Sequence, residues 1–446
     1  MAPADIRKEG SAYDLPIAIG ILAATQQIQS DLIADYLIMG ELSLDGGLQP
    51  LKGALPITIQ AREDSFKGLV LPKANAKDAA IVNDLDVIGI DNLFEAIEFF
   101  NGKNTPAPTI VNTREAFEQS VSEIIADFSD VKGQENIKRA FEIAAAGGHN
   151  AIMIGPPGFG KTMLAKRISG ILPPLSLYEA LETTKIHSVA GRLQKHSGLM
   201  TARSFRSPHH TISDVALVGG GVHPQPGEIS LSHNGVLFLD ELPEFKRAVL
   251  EVIRQPLEDR VVTISRARFT VDYPASFMLI ASMNPCPCGF YNHPEKECLC
   301  SPGVVQKYLN KISGPLLDRI DLHVEVTPVG FDELTDKQKA EPSSSIRKRV
   351  VEARKIQSIR FKENEGVDCN AQMQVSLIQK YCLLDKESYA LLKMAMEKLE
   401  LSARAYDRIL KVARIIADLE GCDAVSSEHL AEAIQYRSLD RESWAG

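Results

Sequence analysis

Residues 151–162 constrain this chain more than any other stretch. Ala151-Ile-Met-Ile154 is an apolar run that stops at Gly155, Pro156, Pro157, Gly158, Phe159, Gly160, Lys161 and Thr162, and a helical pattern from Met163 to Ile168 follows. This is G-x-x-x-x-G-K-T in a strand, loop, helix setting, which predicts an α/β core built on a buried parallel sheet. Glycines let backbone N–H groups approach phosphates, Lys161 neutralises charge on the β and γ phosphates, and the Thr162 hydroxyl offers a ligand to Mg²⁺. The dipole of the following helix adds to the attraction. Binding of ATP with Mg²⁺ is the chemistry this segment predicts.

Two further apolar runs end in polar groups suited to the same chemistry. Gly235-Val-Leu-Phe-Leu-Asp-Glu241 closes on two acids. Asp240 is the expected metal ligand, directly or through water, and Glu241 the group that polarises an attacking water. Leu279-Ile-Ala-Ser-Met-Asn284 closes on an amide able to orient that water near the γ-phosphate, although an Asn at a strand end is also a common turn former.

Composition bounds the rest. The chain has 446 residues, 44% hydrophobic and 24% charged, which excludes a wholly disordered or fibrous protein and predicts about three domains. The apolar run Leu15 to Ala24 is broken by Pro16 and Gly20, too short to span a bilayer and wrongly flanked for a signal peptide. A cytoplasmic protein with no membrane partner is expected. The formal net charge of -9 sits entirely at one end: residues 1–127 carry 9 basic and 19 acidic side chains, residues 128–343 carry 23 of each, and residues 344–446 carry 17 and 16. No acid falls between Glu182 and Asp214, where Lys185, Arg192, Lys195, Arg203, Arg206 and four histidines lie. That window is either a positive surface for an acidic partner or a solvated loop balanced from elsewhere.

The proline-rich stretch Asn101 to Pro108 reads as a linker, and Glu341-Pro-Ser-Ser-Ser345 marks a second boundary. The expected layout is an N-terminal α/β unit over 1–101, a linker over 102–127, an α/β core over 128–343 and a helical domain over 344–446, in which apolar residues recur at spacings of three and four. Within the core, Val261-Val-Thr-Ile264 and Arg268-Phe-Thr-Val271 predict a hairpin bearing Arg266 and Arg268. Cys286, Cys288, Cys298 and Cys300 form C-x-C, nine intervening residues, then C-x-C. Four soft ligands in the segment 286–300 suit one structural Zn²⁺, with His293 an alternative ligand and reduced thiols the bland reading. Cys369, Cys382 and Cys422 are assigned to packing.

The strand-terminal Asp-Glu, the later polar strand end and the helical C-terminus together resemble the AAA+ ATPases. Ile186-His-Ser-Val-Ala-Gly191, Arg206-Ser-Pro-His-His-Thr-Ile-Ser213, Pro226-Gly-Glu-Ile-Ser-Leu-Ser-His-Asn-Gly235 and Gly314-Pro-Leu-Leu-Asp-Arg-Ile-Asp-Leu-His323 look like the magnesium-chelatase-type branch. With Asn284-Pro-Cys-Pro-Cys-Gly289 and the N-terminal unit, the chain resembles the ComM/YifB family: bacterial AAA+ proteins with a Lon-protease-like N-terminal domain. The resemblance covers essentially the whole chain.

It implies an AAA+ P-loop core, a C-terminal helical lid and a partial Lon-like domain. It assigns Arg319 as an arginine finger reaching a neighbouring subunit's γ-phosphate and Arg404 as the sensor arginine at the start of a lid helix, and so implies a ring, expected to be a hexamer. It makes Arg266 and Arg268 candidates for gripping a DNA backbone in a central pore. The implied activity is ATP-driven DNA binding and translocation, as a helicase or branch-migration motor on single-stranded or branched DNA in natural transformation and recombination. The alternatives are the ATPase subunit of magnesium chelatase and a protein-remodelling ATPase. In the Lon-like unit, alignment through Gly10 puts Ala12 at the nucleophile and Leu55 at the lysine, with Lys52 out of register, so proteolysis has no chemistry to run on. Family members carry a further stretch ahead of Ala2, and about half of that domain is expected to be absent here.

Overall fold

The computed structural model describes residues 11–28, 31–103, 106–113, 117, 126–193, 198–221, 224–266, 270–291, 293, 295–328, 330, 340–399 and 401–437. The contacts divide the chain into two units, Met1–Ser122 with Leu175–Ala202, and Glu123–Pro174 with Arg203–Gly446.

The first unit is built on a parallel sheet of β1 (Tyr36–Ile38), β2 (Gly68–Pro72) and β3 (Asp86–Ile90), in the order β1-β2-β3. Every residue of β2 is buried, as a central parallel strand covered on both faces requires. Its side chains alternate: Val70 faces Leu15, Ile19 and Phe99, while Leu69 and Leu71 face Ala54, Ala61 and Ala76. Leu55 is fully buried against Ile81 and Val82, an apolar packing position.

The second unit holds a five-stranded, wholly parallel sheet. Its strands are β4 (Ala151–Ile154), β5 (Phe205–Arg206), β6 (Val236–Leu239), β9 (Met278–Met283) and β10 (Leu322–Glu325), in the order β10-β4-β9-β6-β5. Between β6 and β9 the chain makes an antiparallel hairpin of β7 (Val261–Ser265) and β8 (Thr270–Pro274). The order puts the carboxyl ends of β4, β9 and β6 side by side, the edge at which open α/β sheets bind ligands.

The contacts depart from the sequence boundaries in three places. The helix Leu177–Val189, expected in the core, packs on Ala54–Glu63 of the first unit; Leu181 and Leu199 join Leu55, Ile81 and Val82, and the Gly53 N–H donates to Ser188 O at 3.0 Å. Part of the expected linker also belongs to that unit. The Thr109 N–H donates to Val87 O at 2.8 Å, and the buried Thr113 hydroxyl donates to Ile81 O at 3.0 Å, so these residues satisfy backbone groups of the first unit. Finally, among the described residues the C-terminal helices share their core with the sheet. Ile346 and Val350 of the helix Ser343–Arg360, and Ile409, Leu410 and Ile416 of Ala403–Leu419, share one apolar cluster with Phe141, Met153 and Ile280.

A buried ionic knot fastens this junction. Asp321, just ahead of β10, accepts from His149 Nδ1 at 3.1 Å and from the Asn150 N–H at 3.2 Å, and pairs with Arg408 of the helix Ala403–Leu419. Although burial opposes ionisation, the Arg408 guanidinium and the hydrogen bond from His149 hold the Asp321 carboxyl far below the usual carboxylate range.

Candidate nucleotide site

The loop between β4 and the helix Lys161–Arg167 turns through two left-handed glycines, Gly158 at φ 87° and Gly160 at φ 76°. A side chain is strained in that conformation, so the spacing of the glycines is set by the backbone path. Lys161 is buried and curls back over the loop, donating to Gly155 O at 2.6 Å, Pro156 O at 2.9 Å and Asn284 Oδ1 at 3.0 Å. Burial pushes its ammonium pKa down to about 8, against the opposing pull of Asp240 and Glu241.

Thr162 and Asp240, 78 residues apart, meet at 2.6 Å, the hydroxyl donating to Oδ2. The other Asp240 oxygen accepts from the Ser282 hydroxyl, and the Glu241 N–H reaches both Asp240 Oδ1 at 3.2 Å and Ser282 Oγ at 3.3 Å. A hydroxyl and a carboxylate are hard oxygen donors, and together they fit Mg²⁺. Glu241 itself turns at φ 54°, ψ 50°, a left-handed conformation that a non-glycine residue enters at a cost of about 1–3 kcal/mol. The turn leaves its carboxylate half exposed, with His210 Nδ1 3.7 Å from Oε2.

The structure brings Lys161, Thr162, Asp240, Glu241 and Asn284 into one cluster, and two neighbours there were not singled out in the sequence. Ser282 is fully buried in β9, and its signal was a lone hydroxyl in an otherwise apolar strand. His210 lies in the Arg206 to Ser213 segment quoted for the resemblance, but nothing in its spacing pointed to Glu241.

The other expected site residues engage different partners. Arg319 is buried, pairs with Glu258 of the helix Arg247–Asp259 and donates to Pro315 O at 2.6 Å. Arg404, in the first turn of Ala403–Leu419, is largely exposed and lies 3.3 Å from Asp318 Oδ2. Arg266 is exposed at the end of β7, and Arg268 lies outside the described residues.

The four cysteines converge. Cys286 Sγ lies 3.3 Å from Cys288 Sγ and 3.6 Å from Cys298 Sγ, the latter two sulfurs are 3.5 Å apart, and all four ligand atoms lie within 4.8 Å of one another. At a Zn–S bond of about 2.3 Å a tetrahedral site spaces its sulfurs by about 3.8 Å, so the cluster fits one ion after a slight expansion. Cys369 and Cys382 are buried, as packing residues should be, whereas Cys422 is exposed, because it follows the end of the helix Ala403–Leu419. Cys422 joins Glu420 and His429 in a second group of potential ligands. There His429 Nδ1 accepts the Ser426 N–H at 3.0 Å, which leaves the proton on Nε2, directed at Glu420 Oε2 at 3.0 Å. That imidazole has no lone pair for a metal.

Among the described residues no helix is long and apolar enough to cross a membrane. Comparison with known proteins agrees with the fold. The family described as Magnesium chelatase, subunit ChlI, matches residues 127–334, its C-terminal family matches 340–437, and Subunit ChlI of Mg-chelatase matches 1–75. The chain is 44% identical to the YifB protein of Salmonella typhimurium and 44% identical to the competence protein ComM of Haemophilus influenzae, in each case over 445 residues, 99% of this chain and 85% of the relative. A weaker similarity, 26% over 193 residues and covering 36% of this chain and 33% of the relative, links it to Lon protease 2 of Bacillus subtilis. With a parallel P-loop sheet, a helical C-terminus and near full-length identity to these relatives, the chain belongs to the ComM/YifB family of magnesium-chelatase-like AAA+ proteins.

Proposed function

We propose that this protein is a ring-forming ATPase that couples ATP hydrolysis to movement along DNA, as a helicase or branch-migration motor. The observation that carries the ATPase part is the assembly of Lys161, Thr162, Asp240 and Asn284 at the carboxyl ends of three adjacent strands. Lys161 exchanges its loop carbonyls for phosphate oxygens, and the loop N–H groups take up the remaining charge. Mg²⁺, when bound by Thr162 and Asp240, supplies Lewis-acid neutralisation of the phosphates. Glu241 orients and deprotonates the attacking water, and Asn284 holds that water in line.

In this reading Arg319 leaves Glu258 on assembly and reaches the neighbour's γ-phosphate, so that hydrolysis requires a ring, a hexamer on the family pattern, while Arg404 serves as the lid's sensor. The DNA part is supported by the relative named a competence protein and by the exposed Arg266 on the β7–β8 hairpin. Cys286, Cys288, Cys298 and Cys300 hold a structural Zn²⁺, a reading supported by the convergence of their sulfurs.

The test is Mg²⁺-dependent ATP hydrolysis with and without single-stranded, duplex and four-way-junction DNA at fixed salt, with Lys161→Ala as the blank. The expected result is stimulation by DNA that disappears in the Arg266→Ala, Arg268→Ala double variant. Hydrolysis indifferent to every DNA would favour the chelatase-subunit reading, which the family descriptions support, or a protein substrate.

A further inference from the structure

The cysteine loop and the phosphate loop are packed together at two points. Gly289, directly after Cys288, has φ 84°, and a Cβ there would lie 2.5 Å from Pro157 Cδ and 3.1 Å from Pro157 Cγ. No side chain fits, because the phosphate loop occupies that space. The second point is the His293 ring, whose centroid is 6.1 Å from that of Phe159 and 5.7 Å from that of Phe290. His293 Nδ1 accepts the N–H groups of Glu295 at 3.0 Å and Lys296 at 3.1 Å, so the turn that returns the chain to Cys298 also fixes the ring facing Phe159.

The connection is covalent as well as steric. Cys286 follows Asn284 by two residues, and Asn284 Oδ1 accepts the Lys161 ammonium. Cys286 is fully buried with Val305, and Cys288, Cys298, Cys300 and Tyr291 pack against this pair. Apart from its contacts with the phosphate loop, the described apolar packing of the cysteine loop is this small cluster with Leu309, too little to hold a loop of this length by burial alone. What fixes the shape of the loop is the closure of the four sulfurs, and what the loop touches is Pro157 and Phe159.

We propose that zinc at Cys286, Cys288, Cys298 and Cys300 and a nucleotide on residues 155–162 bind cooperatively, through the contacts of Gly289 with Pro157 and of His293 with Phe159. The inference rests on the zinc reading given above. With the ion in place the loop is a rigid wall that holds the phosphate loop open in its phosphate-accepting path. Without it the wall slackens, and ordering it is added to the cost of binding nucleotide. Linkage makes the coupling reciprocal: a bound nucleotide must retain the metal by the same factor, on the scale of about 5- to 150-fold.

The experiment uses the full chain after zinc reconstitution and metal analysis. Zinc loss to a competing chelator is followed with a chromogenic indicator, with and without a non-hydrolysable ATP analogue, and nucleotide Kd is measured on loaded and stripped protein. Zinc loss at least about fivefold slower with the analogue, and a nucleotide Kd at least about fivefold weaker after stripping, are the expected results. Gly289→Ala, which keeps all four sulfurs but pushes on Pro157, should retain one zinc per chain, bind nucleotide at least about tenfold more weakly and lose zinc at a rate the analogue no longer alters. His293→Ala should show the same pattern at smaller amplitude. Stoichiometric zinc with an unchanged release rate and an unchanged Kd would overturn the coupling and leave the zinc reading standing. Failure to take up one zinc per chain would overturn both.

Discussion

The phosphate site and the cysteine cluster lie against each other but are organised in opposite ways. Lys161, Thr162, Asp240, Ser282 and Asn284 come from three stretches of chain brought together by parallel strands whose residues are wholly buried. The four cysteines come from one run of fifteen residues, 286–300, with a single fully buried side chain among them. The first site is held by the fold, so the strands keep its outline when one side chain there is removed. On the zinc reading the second holds itself, so each cysteine is part of the structure.

The largest effects should separate the two sites most sharply. Lys161→Ala should abolish nucleotide binding in calorimetry while leaving the thermal transition within about one degree of the parent, since the strands still hold the loop. Glu241→Gln should bind ATP normally yet hydrolyse it at least about 100-fold more slowly if Glu241 has its proposed role, because only a group that activates water is then lost. A glutamine variant that turns over at the parent rate would remove Glu241 from that role. Cys298→Ser should behave in the opposite manner, losing the ion and exposing the 286–300 loop to limited proteolysis while the sheet remains folded.

Away from both sites, Arg408→Ala leaves the Asp321 carboxylate buried without its main cationic partner, and the expected loss is about 3–5 kcal/mol in denaturant unfolding. Ser282→Ala releases one Asp240 oxygen and the Glu241 N–H, and a fall in kcat of about tenfold is expected with little change in nucleotide affinity. The smallest effect is a proton. Free Lys161 titrates near pH 8, depressed by burial, and a bound polyphosphate favours its charged form. ATP binding should therefore take up a fraction of a proton that grows as pH rises through 8, and affinity should decline over the same range. Calorimetry in buffers of different ionisation enthalpy reads this directly, and Lys161→Arg should abolish the uptake, since arginine remains charged.

Much of the site was legible in the sequence for one reason: phosphate chemistry requires glycine where the backbone turns left, lysine at a fixed offset and an acid at the end of an apolar run. Those requirements act on neighbours in the chain, as at Gly158, Gly160 and Lys161, so spacing alone exposes them. The paired C-x-C motifs were legible on the same grounds. The parallel sheet followed from apolar runs too short and too buried to stand at a surface.

Only the tertiary structure showed what depends on neighbours in space. Ser282 is an unremarkable hydroxyl until β9 lies beside β6 and aims it at Asp240. Asp321 and Arg408 are ordinary charges until burial makes each necessary to the other. The helix Leu177–Val189 has an unambiguous start at Ser176, whose hydroxyl accepts the Glu179 N–H while the Glu179 carboxylate accepts the Ser176 N–H, yet nothing local says that its apolar side chains belong with Leu55, Ile81 and Val82. Local sequence specifies which elements form and which chemistry their ends can offer. The choice of partners is made by burial and by the pairing of buried charge, which are properties of the packed molecule and of no single segment.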